Sequence, residues 1–197
     1  MIVQYVLCAV IAYLLGSVST GIIYSRALGQ DIRTQGSKNS GATNMTRVHG
    51  LGKGALTFLG DSLKGVAATL IGQWLAGQTG AIIAATCVVL GHMWPVFFGF
   101  KGGKGVATMI GIGFVMDPVL MIPVAVIGIA VMLLSKYVSL ASMVGLIVFA
   151  VGIILRRGFW PMGLWAVLMA ALGCWRHRTN IQRLLNGTEN KIGKKKE

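Results

Sequence analysis

Three stretches of this 197-residue chain carry polar groups of the kind that hold anions. The first runs Gly36-Ser37-Lys38-Asn39-Ser40-Gly41-Ala42-Thr43-Asn44-Met45-Thr46-Arg47. Its small residues let backbone N–H groups turn inward, and its hydroxyls, amides and guanidinium add donors suited to phosphate oxygens. Candidate binding residues here are Ser37, Asn39, Gly41, Ala42, Thr43, Asn44 and Arg47. The same residues would equally make a polar turn ending in a helix cap. The second stretch runs from Gly91 through His92 to Thr108, with Gly102-Gly103-Lys104-Gly105 immediately before an apolar segment. Free N–H groups and the positive end of a helix dipole would meet an anion there, although a glycine hinge with a snorkelling lysine fits the same residues. It is not a Walker A loop, which needs Gly where Phe98 stands and Ser or Thr where Gly105 stands, so no nucleotide is implied. The third is Arg176-His177-Arg178-Thr179-Asn180-Ile181-Gln182-Arg183-Leu184. On a helix His177, Asn180 and Leu184 share one face, with Arg176, Asn180 and Arg183 beside it. A basic surface helix touching anionic lipid is the competing reading.

Other chemistry is thinly supplied. Asp61 and Lys64 stand three residues apart inside an apolar run, as a structural pair or as the lining of a polar cavity. No Ser or Cys has an obvious base partner for covalent catalysis. Cys8, Cys87 and Cys174 are far apart in apolar runs and form no CxxC, so neither zinc nor a disulfide framework is indicated, and no metal or cofactor is expected.

The elements that position these stretches belong in a membrane. Hydrophobic residues make up 55% of the chain and charged ones 12%, against about 25% charged in a soluble domain. Mean hydropathy is +0.74. A soluble globular domain, a disordered chain and a coiled coil are excluded. The net charge of +13 would point to nucleic acid in a soluble protein; here it reads as positive-inside bias and attraction to anionic headgroups. Gaps between charges place spans at residues 2–25, 56–76, 81–98, 106–116 (short), 119–135, 138–155 and 161–175, the second and third divided at Gly77-Gln78-Thr79-Gly80. The fold class expected is an all-α membrane protein, a seven-helix transmembrane bundle with a short fourth helix. The first segment lacks a basic n-region and exceeds a signal-peptide h-region, so it reads as a retained helix. With the first loop in the cytoplasm, fifteen of the eighteen Lys and Arg fall on that side, including the basic tail 176–197 with Lys194, Lys195 and Lys196. That puts the N-terminus outside and the C-terminus inside. Arg156 and Arg157 are the exception, and the sequence offers no reason for them.

Together the three stretches, with Ser139-Leu140-Ala141-Ser142, resemble the bacterial acyl-phosphate-dependent glycerol-3-phosphate acyltransferases, integral-membrane enzymes of phospholipid synthesis, over essentially the whole chain. The Phe-Phe-Gly-Phe-Lys-Gly-Gly-Lys-Gly core is the most specific feature. The first stretch departs from the family's Gly-Ser-Gly-Asn-Pro-Gly-Ala-Thr-Asn, with Lys38 for the second glycine and Ser40 for proline. The resemblance implies a single acyltransferase domain in the bacterial inner membrane, its active site facing the cytoplasm. It implies acyl transfer from acyl phosphate to glycerol 3-phosphate, giving lysophosphatidic acid and phosphate. His92, Gly102, Gly103, Lys104, Gly105, Thr108, Ser142, His177 and Asn180 join the first-stretch residues as expected substrate contacts, with Lys104, His177 and Arg47 as catalytic candidates. Expected partners are the two substrates, anionic lipids and the soluble enzyme that makes acyl phosphate, with no nucleic acid.

The His-x-x-x-x-Asp pair of other glycerolipid acyltransferases is absent: five residues after His49, His92 and His177 stand Gly54, Phe97 and Gln182. Direct attack by the substrate hydroxyl is therefore expected, with phosphate as leaving group and proton acceptor and the protein supplying position and charge. His177, with an ordinary pKa near ~6.5, is the alternative base, and a binding role is preferred for it. A phosphate or metabolite transporter is the main rival reading, against which stands the lack of an internal repeat. A lipid-binding scaffold would leave the Gly-Gly-Lys-Gly turn without a task.

Overall fold

Apolar side chains run uninterrupted through α1 (Ile2–Ser17), which buries one narrow face made by Cys8, Ala12 and Gly16 at four-residue spacing. Val3, Val6, Val10 and Leu14 stay exposed, as lipid-facing residues must. The helix stops at Val18 and Ser19, both extended, and resumes as α2 (Thr20–Ala27). The helix expected over residues 2–25 is therefore broken in two, while Ile2–Ala27 as a whole stays long and apolar enough for one span. The cause lies outside the segment: the Lys64 ammonium donates to the Gly16 and Val18 carbonyls at 3.0 and 2.9 Å, oxygens that an interrupted helix leaves without intrahelical partners.

This computed structural model describes residues 1–192, so Lys194, Lys195 and Lys196 lie outside the described residues. The described residues form helices without strands and divide into two compact units, Met1–Met116 and from Asp117 onward. Four helical stretches are long and apolar enough to cross a membrane: Ile2–Ala27, Leu51–Phe98, Pro118–Ser135 and Val138–Arg157.

In the first unit, α3 (Ala42–His49) follows the first loop and leads into α4 (Leu51–Met93). At 43 residues a straight α4 would measure about 65 Å, twice a hydrocarbon core of ~30 Å. It folds back instead where the sequence reading divides it. Ala76 (φ −149°, ψ 30°) and Gly77 (φ 60°, ψ −149°) leave helical geometry, and glycine takes the positive φ without a Cβ penalty. The two arms return against each other closely enough that a Cβ on Gly72 would collide with the Gly80 carbonyl. The second arm stops at Met93, short of the expected Phe98. Pro95 has no N–H and pushes Trp94 out of the helical region (φ −131°, ψ 70°). The short helix expected at residues 106–116 is α5 (Val106–Met116).

The second unit comprises α6 (Pro118–Ser135), α7 (Val138–Arg157), α8 (Leu164–Arg176) and α9 (Arg178–Leu185). Asp117 caps α6 by accepting from the Leu120 N–H at 3.0 Å and takes Arg156 Nε at 3.0 Å and Arg157 Nε at 3.4 Å from the end of α7. The two arginines that stood against the charge bias are thus the counterions of a buried cap. The arginine hydrogen bonds, the Leu120 N–H and both positive charges outweigh burial and hold the Asp117 carboxyl below the usual carboxylate range.

Candidate functional site

The first stretch is a loop knotted by one side chain. Asn44, fully buried in α3, donates to the carbonyls of Ile32 (3.2 Å), Gln35 (3.0 Å) and Asn39 (2.9 Å) and accepts from the Ser37 N–H at 2.8 Å. Both amide hydrogens are engaged by the loop itself, so Asn44 shapes the loop. Ser37, Asn39, Gly41 and Ala42 are half-buried along it, whereas Thr43 and Arg47 are exposed and share a face of α3 by their i, i+4 spacing. Arg47 therefore sits on a helix, not in a loop as its sequence setting implied. Ser40 is fully buried with no hydrogen-bond partner for its hydroxyl among the described residues. Ile22, Ile32 and Met45 form the apolar anchor of this region, with Tyr24, Val48 and Phe98 packed against it.

Phe98 belongs to the second stretch, so the two stretches meet at one end of this unit. Arg33 fastens them. Its Nη1 donates to the Phe98 carbonyl at 2.7 Å, while Nε and Nη2 grip Asp31 at 2.9 and 2.7 Å. The Arg33 hydrogen bond holds the Asp31 carboxyl far below the usual range against the opposing effect of burial, and Asp31 raises Arg33 in return. Beyond Phe98 the chain doubles back on α4. The Gly102 N–H donates to the Met93 carbonyl at 3.2 Å and the Gly103 N–H to the His92 carbonyl at 3.1 Å. A Cβ on Gly103 would collide with His92 Nε2, so only glycine lets the turn close on the imidazole. Gly105, at φ +84°, then starts α5, its carbonyl accepting from the Met109 N–H at 2.8 Å. Lys104 is half-buried between two buried glycines, and Lys101 is exposed. Thr108 lies fully buried, its hydroxyl without a hydrogen-bond partner among the described residues.

Under this turn lies the charge pair seen in the sequence. Asp61 Oδ1 takes Lys64 Nζ at 2.9 Å and the Thr20 hydroxyl at 3.3 Å, and His92 Nδ1 lies 3.7 Å away. Asp61 is 1% exposed and Lys64 9%, so water does little to screen them.

In the second unit the third stretch is organised by a residue that the sequence reading did not single out. Glu189 accepts from Ser139 Oγ at 3.0 Å, Asn180 Nδ2 at 2.7 Å and Arg183 Nε at 2.7 Å. These donors outweigh burial and depress the Glu189 carboxyl. Its signal in the sequence was scarcity, since Glu189 is one of only two Glu in the whole chain, and a carboxylate in a strongly basic tail has a structural reason to be there. His177 is 3% exposed and its Nδ1 sits 2.8 Å from the Gly173 carbonyl. A carbonyl only accepts, so Nδ1 carries the proton and Nε2 is the ring's other site. His177 (φ −93°, ψ 7°) stands between α8 and α9 as the cap of α9, so Asn180 and Leu184 share one continuous helix, while Arg176 of the expected adjoining stripe lies across the break on α8. Ser142 donates to the Val138 carbonyl of its own helix at 2.8 Å. Among the described residues no cluster of three or more His, Cys, Asp or Glu is placed to hold a metal.

Residues 6–187 match the glycerol-3-phosphate acyltransferase family model. A glycerol-3-phosphate acyltransferase of Clostridioides difficile strain 630 is 47% identical over 204 residues, covering 100% of this chain and 99% of its own. The chain belongs to the glycerol-3-phosphate acyltransferase family. The Thermoanaerobacter sp. strain X514 member is 45% identical over 196 residues, with 98% of each chain covered. The fold is that of the crystal structure of PlsY (YgiH), an integral membrane glycerol 3-phosphate acyltransferase, in its glycerol 3-phosphate form: TM-score 0.92, 39% identity and 96% of both chains covered. The lysophosphatidic acid form of PlsY gives a TM-score of 0.88 at 38% identity, covering 96% of this chain and 95% of that one. Within this acyltransferase, Lys104, Arg47, His92 and the glycine turn fall in the first unit, and Ser142, His177 and Asn180 in the second.

Proposed function

We propose that this chain transfers a fatty acyl group from acyl phosphate to glycerol 3-phosphate, releasing lysophosphatidic acid and inorganic phosphate. The observation that carries the reading is the Gly102–Gly105 turn, closed on the α4 carbonyls and delivering Lys104 beside the first N–H groups of α5. That arrangement offers a cation and helix-end donors together, which suits a phosphate and requires no nucleotide. Family membership favours the acyltransferase over the transporter.

The chemistry follows from what the protein lacks the means to do. Asp31, Asp61, Asp117 and Glu189, the four carboxylates among the described residues, are each ion-paired to Arg or Lys. A base drawn from them would have to leave its counterion. In the proposed reaction the glycerol 3-phosphate hydroxyl attacks the acyl carbonyl, the carbon–oxygen bond to phosphate breaks, and the departing phosphate takes the hydroxyl proton. Lys104 and Arg47 hold and offset negative charge, and no acyl-enzyme forms. His177 serves as a buried polar donor; its Nε2 is the group that a base role would require.

We place the enzyme in the bacterial inner membrane as seven spans, counting the two arms of α4 separately and α5 and α8 as short spans. The bias of Lys and Arg sets the N-terminus outside and the substrate loops and tail inside, where acyl phosphate is made by a soluble partner. The test is phosphate release from acyl phosphate by detergent-purified protein, with and without glycerol 3-phosphate. Release that depends on glycerol 3-phosphate and matches lysophosphatidic acid formed is the expected result. Release without acylated product, or none at all, overturns the assignment.

A further inference from the structure

The Asp61–Lys64 pair is costly to bury, and the glycerol-3-phosphate acyltransferase chemistry above does not use it. Two contacts describe what it touches. Lys64 pins the α1–α2 break through the Gly16 and Val18 carbonyls, and Asp61 takes the first hydroxyl of α2, Thr20, at 3.3 Å. On its other side Asp61 Oδ1 faces His92 Nδ1 at 3.7 Å across the α4 hairpin. The opposite ring nitrogen, Nε2, abuts Gly103, and the His92 carbonyl receives the Gly103 N–H at 3.1 Å. One imidazole thus stands between a buried carboxylate and the backbone of the residue before Lys104. Further contacts draw the α1 end toward the same turn: Tyr13 Oη donates to the Trp94 carbonyl at 2.8 Å, and Ser17 Oγ accepts from the Val96 N–H at 3.3 Å.

From this geometry we infer that Asp61 is a positioning residue for acyl transfer: acting through His92, it fixes the Gly102–Gly105 turn that presents Lys104 to a phosphate. The imidazole has one nitrogen facing the carboxylate at 3.7 Å, a charge–dipole contact that favours this orientation of the ring. A ring so held leaves the Gly103 backbone a single position, and Lys104 follows on the next residue. A buried ion pair serving stability alone has no need of the histidine. Replacing it with apolar groups of similar volume would then leave function intact, since such replacement is often neutral or stabilising.

This inference rests on the proposed phosphate role of the turn, and the experiment separates the two. Lys104→Ala first identifies which substrate the turn serves, as the one whose KM rises. The charge-free double variant Asp61→Asn/Lys64→Met is then expected to stay folded in detergent with a lowered melting temperature, because Lys64→Met also removes the donor to the Gly16 and Val18 carbonyls. It should raise the same KM by about three- to tenfold, within the range for coupled residues in contact. His92→Phe should raise it comparably, and adding the double variant to His92→Phe should add less than twofold, because both remove one linkage. Should the double variant fail to accumulate, Asp61→Asn alone crossed with His92→Phe reads the same coupling. A wild-type KM in the charge-free variant, or effects of Asp61 and His92 that multiply independently, overturns the positioning role. No KM effect from Lys104→Ala overturns the phosphate role of the turn instead.

Discussion

Lys101 and Lys104 are three residues apart in the same glycine-rich turn, yet the structure treats them differently. Lys101 is exposed, and its carbonyl accepts from Arg33 Nη1 at 3.4 Å. Its side chain is free to reach headgroups or water. Lys104 is half-buried between Gly103 and Gly105, whose backbones are fixed by His92 and by the start of α5. A charge-assisted hydrogen bond in such a setting contributes about 1.5–3 kcal/mol, and losing it at the transition state lowers kcat/KM by roughly ten- to a hundredfold. Lys104→Ala is expected to lose that much. Lys101→Ala should stay within about fivefold, because an exposed cation contributes about 0–1 kcal/mol. The assay is initial phosphate release from acyl phosphate at varied glycerol 3-phosphate, with melting temperatures recorded for both variants. Equal losses at the two positions would refute the reasoning, since nothing but placement distinguishes the two ammonium groups.

Arg47→Glu should abolish glycerol 3-phosphate-dependent turnover while melting like wild type, because an exposed helix position tolerates charge reversal to within about 0.5 kcal/mol; unchanged kinetics would remove this face of α3 from the site. Glu189→Gln should destabilise the second unit by about 1–3 kcal/mol, read by thermal melting, as Ser139, Asn180 and Arg183 lose a charged acceptor. Because folding depresses the Glu189 carboxyl, its contribution is fully present above the unfolded value near ~4.3 and is lost as pH falls through the lower folded value. Melting temperature should drop less steeply with acid in Glu189→Gln than in wild type. Acyl-CoA should not replace acyl phosphate under identical conditions, since a departing thiolate cannot share its charge with a phosphate-holding turn; comparable turnover would sink the leaving-group argument.

Most helices were legible because apolar runs and their breaks are local properties. The turn at Gly77 and the bounds of α5 lie where glycines and charges interrupt those runs. The α1–α2 break was not legible. Nothing between Ile2 and Ser25 demands it; it is explained by an ammonium supplied from residue 64. The same reason hid Glu189, whose partner Ser139 lies fifty residues away in sequence. Asn44 shows a different limit. An amide that would bind a ligand and one that knots its own loop are the same residue type in the same polar context, and only the three carbonyls around Nδ2 assign it to the loop. Arg156 and Arg157 broke the charge rule because that rule counts loop charges and is blind to a buried helix cap such as Asp117.

The disposition of charge in this molecule bears directly on how it works. Eighteen Lys and Arg face five Asp and Glu, and every described carboxylate is committed to a structural cation: Asp31 at the first loop, Asp61 under the glycine turn, Asp117 at the α6 cap, Glu189 in the tail. Acid–base catalysis needs a group able to change protonation near the working pH without dismantling its surroundings. Asp31, Asp117 and Glu189 are held below the usual carboxylate range, which makes them poorer proton acceptors than free carboxylates. What the chain retains in surplus is positive charge on loops of fixed backbone. In the proposed reaction such a protein would lower the barrier by holding two anionic substrates together and offsetting their mutual repulsion, a task that rises in value as water is excluded. In that proposed reaction the proton travels between substrates, from the attacking hydroxyl to the leaving phosphate, because every carboxylate among the described residues is already tied to a structural cation.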